Sequence, residues 1–232
     1  VLMAVAAALA IIPASLFFFE NGRQPENVDK PVSPTLQLGF TVSEAFKSLR
    51  FWKFAFSFLL IGGMISSLMI HLVPMLTDAN MPRSMAIRIA GVMGAAVIVG
   101  RVTTGFLVDR YHPPYVAAFF LAMPIVGCVL LSGSTLPIWL VVVAAMFIGL
   151  AAGSEVDLVP YLTARYFGLK AYGKLYGWEF VFFYAGVGIV PPIFGRVFDI
   201  NGNYDIALQF AIGALVIGVA TIATLGKPPK FS

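Results

Sequence analysis

The run Gly100-Arg101-Val102-Thr103-Thr104-Gly105-Phe106-Leu107-Val108-Asp109-Arg110 closes an apolar stretch with an arginine, an acid and a second arginine. Arg101 lies eight positions before Asp109, about 12 Å deeper if the run is helical at 1.5 Å per residue. A cation at such depth needs a partner or a water-filled cavity. Its planar guanidinium can hold a carboxylate through two parallel hydrogen bonds. Arg101 is therefore the candidate anion-binding residue, with snorkelling to the polar boundary as the open alternative.

Charges of both signs gather where other apolar stretches end. Asp109 and Arg110 sit at a tight turn, and Glu155, Asp157 and Arg165 follow later. Such groups can form a latch that is closed in one conformation and parted in another. Gly105 belongs to the same set because it lets a neighbouring helix come close. The alternative is a solvated group of boundary charges, since exposed pairs are worth only about 0–1 kcal/mol. Glu179, beside Trp178 and about one and a half turns inside a later stretch, is the candidate proton carrier. It also reads as an interfacial glutamate close to Lys174. Arg88 reads as an interfacial anchor and His71 as a hydrogen-bonded filler. Phe180, Phe182, Phe183 and Tyr184 fall all round a helix and read as packing or lipid contacts. One cysteine, Cys128, and two histidines exclude a disulfide framework and make a metal site improbable. No metal and no cofactor is expected.

The elements that must position these groups are membrane spans. The chain has 232 residues, 59% hydrophobic and 11% charged, with a mean hydropathy of +0.91. A soluble domain carries about a quarter of its residues as charges, so lipid must cover much of this surface. Stretches of the roughly 20 apolar residues that cross a bilayer occur near 1–19, 54–77, 86–108, 114–132, 136–156, 175–195 and 206–226. Residues 20–50 form a polar connection with Pro25, Pro31 and Pro34. Within it Thr41-Val42-Ser43-Glu44 is a capping box, and Val42, Ala45, Phe46 and Leu49 fall at helical spacing. A short amphipathic helix on the membrane surface, leading to Trp52 at the interface, is predicted. The start at Val1, inside an apolar run without a basic leader, reads as a piece of something longer and not as a signal peptide.

Alternation of the spans places twelve of the fifteen Lys and Arg residues on one side, leaving Arg83, Arg88 and Arg196 on the other. That asymmetry puts the 20–50 connection and the C-terminus in the cytoplasm. The net charge of +4 is small and spread out, which argues against nucleic acid. Glycines and Pro74, Pro124, Pro191 and Pro192 within the spans suit helices that pack closely and move.

The pattern Gly100-Arg101 to Gly105 to Asp109-Arg110, joining two spans through a short turn, resembles the loop motif between helices eight and nine of the major facilitator superfamily. The run from Gly153-Ser154-Glu155-Val156-Asp157 through Tyr161-Leu162-Thr163-Ala164-Arg165-Tyr166-Phe167-Gly168 continues the resemblance. With Ala171-Tyr172-Gly173 and Tyr176-Gly177, it is similar to the monocarboxylate and oxalate–formate exchanger branch. The resemblance implies an all-α membrane protein. Residues 1–19 would be the last helix of an N-terminal bundle, 20–50 the cytoplasmic inter-bundle linker, and 51–232 a C-terminal six-helix bundle. It also implies secondary transport of a small organic anion, a monocarboxylate, by alternating access with proton coupling, in a cell inner membrane. The partners would be the anion, protons, the lipid bilayer and the N-terminal six-helix half. In that branch an arginine on the eighth helix anchors substrate, and Arg101 occupies the matching place. The chain departs from the branch at Val97, where monocarboxylate members carry an acid, and in lacking a lysine within 175–195, as oxalate exchangers have.

Other readings remain open: a superfamily carrier of drugs or other metabolites, or a seven-helix receptor. A retinal protein is excluded because the last span has no lysine. No nucleophile–base pair, metal-ligand spacing or phosphate loop supports an enzyme.

Overall fold

The computed structural model describes residues 38–133 and 137–229. The helix expected at 1–19 and the connection up to residue 37 lie outside the described residues. Seven helices follow: α1 Val42–Lys47, α2 Leu49–Asp78, α3 Arg83–Arg110, α4 Pro113–Leu131, α5 Ile138–Phe167, α6 Tyr172–Asn201 and α7 Asp205–Ala223. Six of them, α2 to α7, are long and apolar enough to cross a membrane, and they correspond to the last six expected spans.

The surface helix begins as its capping box dictates. Thr41 Oγ1 accepts from the Glu44 N–H at 3.3 Å, and Glu44 Oε2 accepts from the Thr41 N–H at 2.7 Å. These bonds, the backbone one foremost, hold the Glu44 carboxyl below its ordinary value. The helix runs only six residues, because Ser48 turns extended and starts α2 by accepting the Phe51 N–H at 3.3 Å. Trp52 is half exposed and donates its indole N–H to the Phe46 carbonyl at 2.9 Å. An indole with an apolar body and one polar contact suits a membrane boundary.

Packing is set by small residues. Helix α2 lies along α6 and α7, α3 along α5, and α4 between α5 and α7. On α3 and α5 the chains run in the same direction, with Met93 level with Gly149 and Val97 level with Gly153. A Cβ on Gly149 or Gly153 would overlap the Met93 or Val97 carbonyl, and one on Gly100 would overlap the Leu150 carbonyl. Glycines four apart on α5 thus let two backbones touch, the small-residue packing that apolar lipid favours. The close approach expected at Gly105 is not made here. A Cβ there meets nothing within 4 Å among the described residues.

Helix α5 differs most from expectation. It continues to Phe167, eleven residues past the expected end at 156, or about 16 Å. Glu155 and Asp157 look like an exit to water, but one is turned into the bundle and the other is paired, so neither ends the helix. The helix stops at Gly168, whose φ of +76° favours glycine. There residues 38–40 pair with the α5–α6 turn. The Phe40 N–H donates to the Phe167 carbonyl at 2.8 Å and the Leu169 N–H to the Leu38 carbonyl at 3.0 Å. A Cβ on Gly39 would sit 2.6 Å from the Phe167 oxygen, so glycine is required on both strands of this contact.

Candidate functional site

The parallel register of α3 and α5 brings Arg101 to Asp157. Arg101 Nε lies 3.2 Å from Asp157 Oδ2. Each residue is nine or ten positions from the end of its helix, so the pair sits roughly 14 Å inside. Among the described residues this is the ion pair that forms, and both side chains remain about half exposed, at 54% and 41%. One face of α3, with Gly91, Gly94, Ile98, Arg101 and Gly105 at helical spacing, is uncovered.

Polar contacts pin the two helices beside that pair. The Thr104 and Ser154 hydroxyls meet at 2.6 Å. Ser154 also reaches the Leu150 carbonyl at 2.7 Å, and a carbonyl can only accept, so Thr104 donates to Ser154. One helical turn further, the Tyr161 hydroxyl donates to the Val108 carbonyl at 3.3 Å. The positions of the Arg101 and Asp157 backbones are therefore fixed by glycines on one side and hydroxyls on the other.

Glu155 and Asp157, two residues apart, point about 200° apart on a helix. Asp157 takes the open side and Glu155 the inside, where it is 5% exposed and its Oε2 has no hydrogen-bond partner among the described residues. The expected end of the span falls at these residues, and α5 continues about 18 and 15 Å beyond them.

Glu179 is the more unusual carboxyl. It lies seven residues into α6, about 10 Å from the helix start. It is fully buried, and neither oxygen has a hydrogen-bond partner among the described residues. The reading of Glu179 as an interfacial residue beside Lys174 therefore fails on burial.

The remaining candidates are spread out. Asp109, Arg110 and Arg165 are exposed, and no ion pair joins Asp109 or Arg110 to Glu155, Asp157 or Arg165 among the described residues. Arg110 lies over the Phe106 ring at 6.0 Å. Arg88 is exposed near the start of α3, its guanidinium 3.6 Å from the Met85 sulfur. His71 Nε2 is 3.2 Å from the Pro191 carbonyl, and its ring lies 5.3 Å from that of Phe194. The Thr104–Ser154 contact and the Gly149–Gly153 pair were not singled out in the sequence. Their only signal was the i, i+4 glycine spacing next to a serine.

Comparison with known proteins is consistent with this architecture. The family model for the Major Facilitator Superfamily matches residues 1–191. Monocarboxylate transporter 12-B of Danio rerio is 27% identical over 203 residues, covering 79% of this chain and 42% of the relative. The MFS transporter asaE of Aspergillus flavus is 29% identical over 164 residues, covering 68% and 32%. The chain thus spans less than half the length of these relatives. The E. coli fucose:proton symporter FucP superposes with a TM-score of 0.63 at 16% identity, covering 81% of this chain and 46% of that one. At that identity the likeness is one of fold.

Proposed function

The chain belongs to the Major Facilitator Superfamily, and from that premise we propose that it is the C-terminal half of a secondary carrier for a small organic anion, a monocarboxylate, coupled to protons. The observation that carries the reading is the Arg101–Asp157 pair, at 3.2 Å and half exposed on an uncovered helix face. A guanidinium at that depth is costly without a partner, and here its partner is a carboxylate. The carboxylate of a substrate can take the place of Asp157 on the same planar fork. The matching relatives named monocarboxylate transporters support the same substrate class.

The coupling reading rests on Glu179. A buried carboxyl without a partner is a group that can exchange a proton as its surroundings open and close. Asp157, released from Arg101 when substrate binds, is a second place for the proton. The uncovered face of α3, rich in glycine, would receive the N-terminal half, and the site would be completed there. Asp109, Arg110, Arg165 and Gly105 would act at the closing surfaces as the latch, with Asp157 shared between latch and site and Glu155 behind it, inside the bundle.

Proteoliposome uptake by the full-length carrier tests the substrate class. Labelled monocarboxylates should accumulate under an inward proton gradient while the corresponding amides do not. Equal uptake of acid and amide would remove the anion reading. The proposed orientation, with the basic ends in the cytoplasm of a cell inner membrane, rests on the twelve-to-three distribution of Lys and Arg. A cysteine placed at Gly202 in a Cys128-free background should react with an impermeant maleimide in intact cells. Reaction only after permeabilisation would reverse the orientation.

A further inference from the structure

Two hollows meet at His112, where α4 begins. One, about 630 Å³, is bounded by His112, Pro113, Arg165, Lys227 and Pro228. The other, about 390 Å³, is a groove between α3 and α4 walled by Leu107, Tyr111, Tyr115, Val116, Phe119 and Phe120. Among the described residues, no acidic residue lines either hollow. His112 lines both, so a basic hollow and an aromatic groove share a wall.

Their placement relative to the bilayer follows from the helices. Arg165 lies two residues before the end of α5 and Lys227 four residues past the end of α7, the level of lipid headgroups. The groove extends from His112 to Phe119 and Phe120, about 10–12 Å along α4. Helix α4 has no charged residue from Pro113 to Leu131, and Tyr115, Phe119, Val126 and Val129 are exposed on its outside. A face of this kind belongs against acyl chains. The donors must come from side chains, because Pro113 and Pro114 leave the first turn of α4 without two of its N–H groups.

We propose that this corner binds one anionic phospholipid. Its phosphate sits among Arg165, Lys227 and His112, and one acyl chain lies along the α3–α4 groove. Cation pockets at helix ends hold anionic headgroups by charge. The adjoining groove adds apolar contact that a free anion cannot use. The occupant is thereby a lipid and not a soluble phosphate.

Native mass spectrometry of the detergent-purified full-length carrier, titrated with phosphatidylglycerol or phosphatidylcholine, tests this. One phosphatidylglycerol should bind about tenfold more tightly than phosphatidylcholine, and Arg165→Gln with Lys227→Gln should bring the ratio to about one. Tyr115→Ala with Phe119→Ala should weaken both lipids together and keep their ratio. Inorganic phosphate in millimolar excess should not displace the lipid. If the double Gln variant fails to fold, Lys227→Gln alone, in the tail beyond α7, should still lower the ratio severalfold. An unchanged ratio in the Gln variants would overturn the proposal. Displacement by inorganic phosphate, with binding indifferent to Tyr115 and Phe119, would also overturn it, by showing a free-anion site.

Discussion

Arg101 and Asp157 are 56 positions apart in the chain, yet Nε of one lies 3.2 Å from Oδ2 of the other, nine and ten residues before the ends of α3 and α5. The pair depends on register. Val97 is level with Gly153, which brings Arg101 level with Asp157 one turn later. Asp157 gives the guanidinium a partner, and the half-exposed position of the pair leaves it exchangeable.

Asp157→Asn should therefore change transport more than folding. The amide keeps the shape but removes the competing charge, so apparent affinity for the anion should rise or hold while turnover slows, because the site no longer resets. A shift of about 1–3 kcal/mol in the conformational balance is the scale expected for such coupling. KM and kcat for uptake, with cross-linking across the gate, measure it. Wild-type values for all three would show that the pair is idle.

Gly153→Val addresses the register itself. Its side chain would drive into the Val97 carbonyl and the Arg101 N–H, forcing α3 and α5 apart at a cost of about 1–3 kcal/mol, typical of overpacking. Thermal unfolding in detergent should show the loss. Gly213→Ala on α7 is the control, since a Cβ there meets nothing within 4 Å. Equal melting of both variants would mean that the contact is not what sets the register.

These two residues show what the sequence could and could not convey. The spans were legible because about 20 apolar residues are what a bilayer requires, and the Thr41 capping box was legible because its bonds are local. The end of α5 was not. Glu155 and Asp157 look like a helix leaving the membrane, and only the partner helix shows that Asp157 is paired and Glu155 turned inward. The burial of Glu179 could not be read from the sequence for the same reason. Large apolar side chains fall on both the buried and the exposed faces of α6, so no pattern tells which face packs, and burial is decided by α2, against which Gly186 closes on the Leu59 carbonyl. Arg101 was visible as a costly cation, but its partner lay on another helix.

Glu179→Gln separates proton coupling from packing. The amide preserves volume and stays uncharged at every pH, so the protein should fold and bind substrate. If Glu179 carries the coupling proton, proton-driven accumulation should fall to the level of simple exchange, while counterflow of preloaded substrate continues. Uptake against pH gives the independent readout: the variant should lose the dependence seen in wild type. An unaltered pH profile with full accumulation would assign the buried carboxyl to structure alone.

The most direct measurement compares uptake of a labelled monocarboxylate by Arg101→Lys and Arg101→Ala in the complete carrier. A planar fork bound to a carboxylate is replaced poorly by an ammonium, so the Lys variant should keep some transport at clearly weaker affinity. The Ala variant should lose uptake, because no guanidinium is left to hold the substrate carboxylate. Its folding should be checked in the Arg101→Ala, Asp157→Ala double variant, which leaves no unpaired charge. If Arg101 only reaches for headgroups, Lys will serve as well as Arg. Wild-type uptake by Arg101→Ala would contradict the carboxylate site outright.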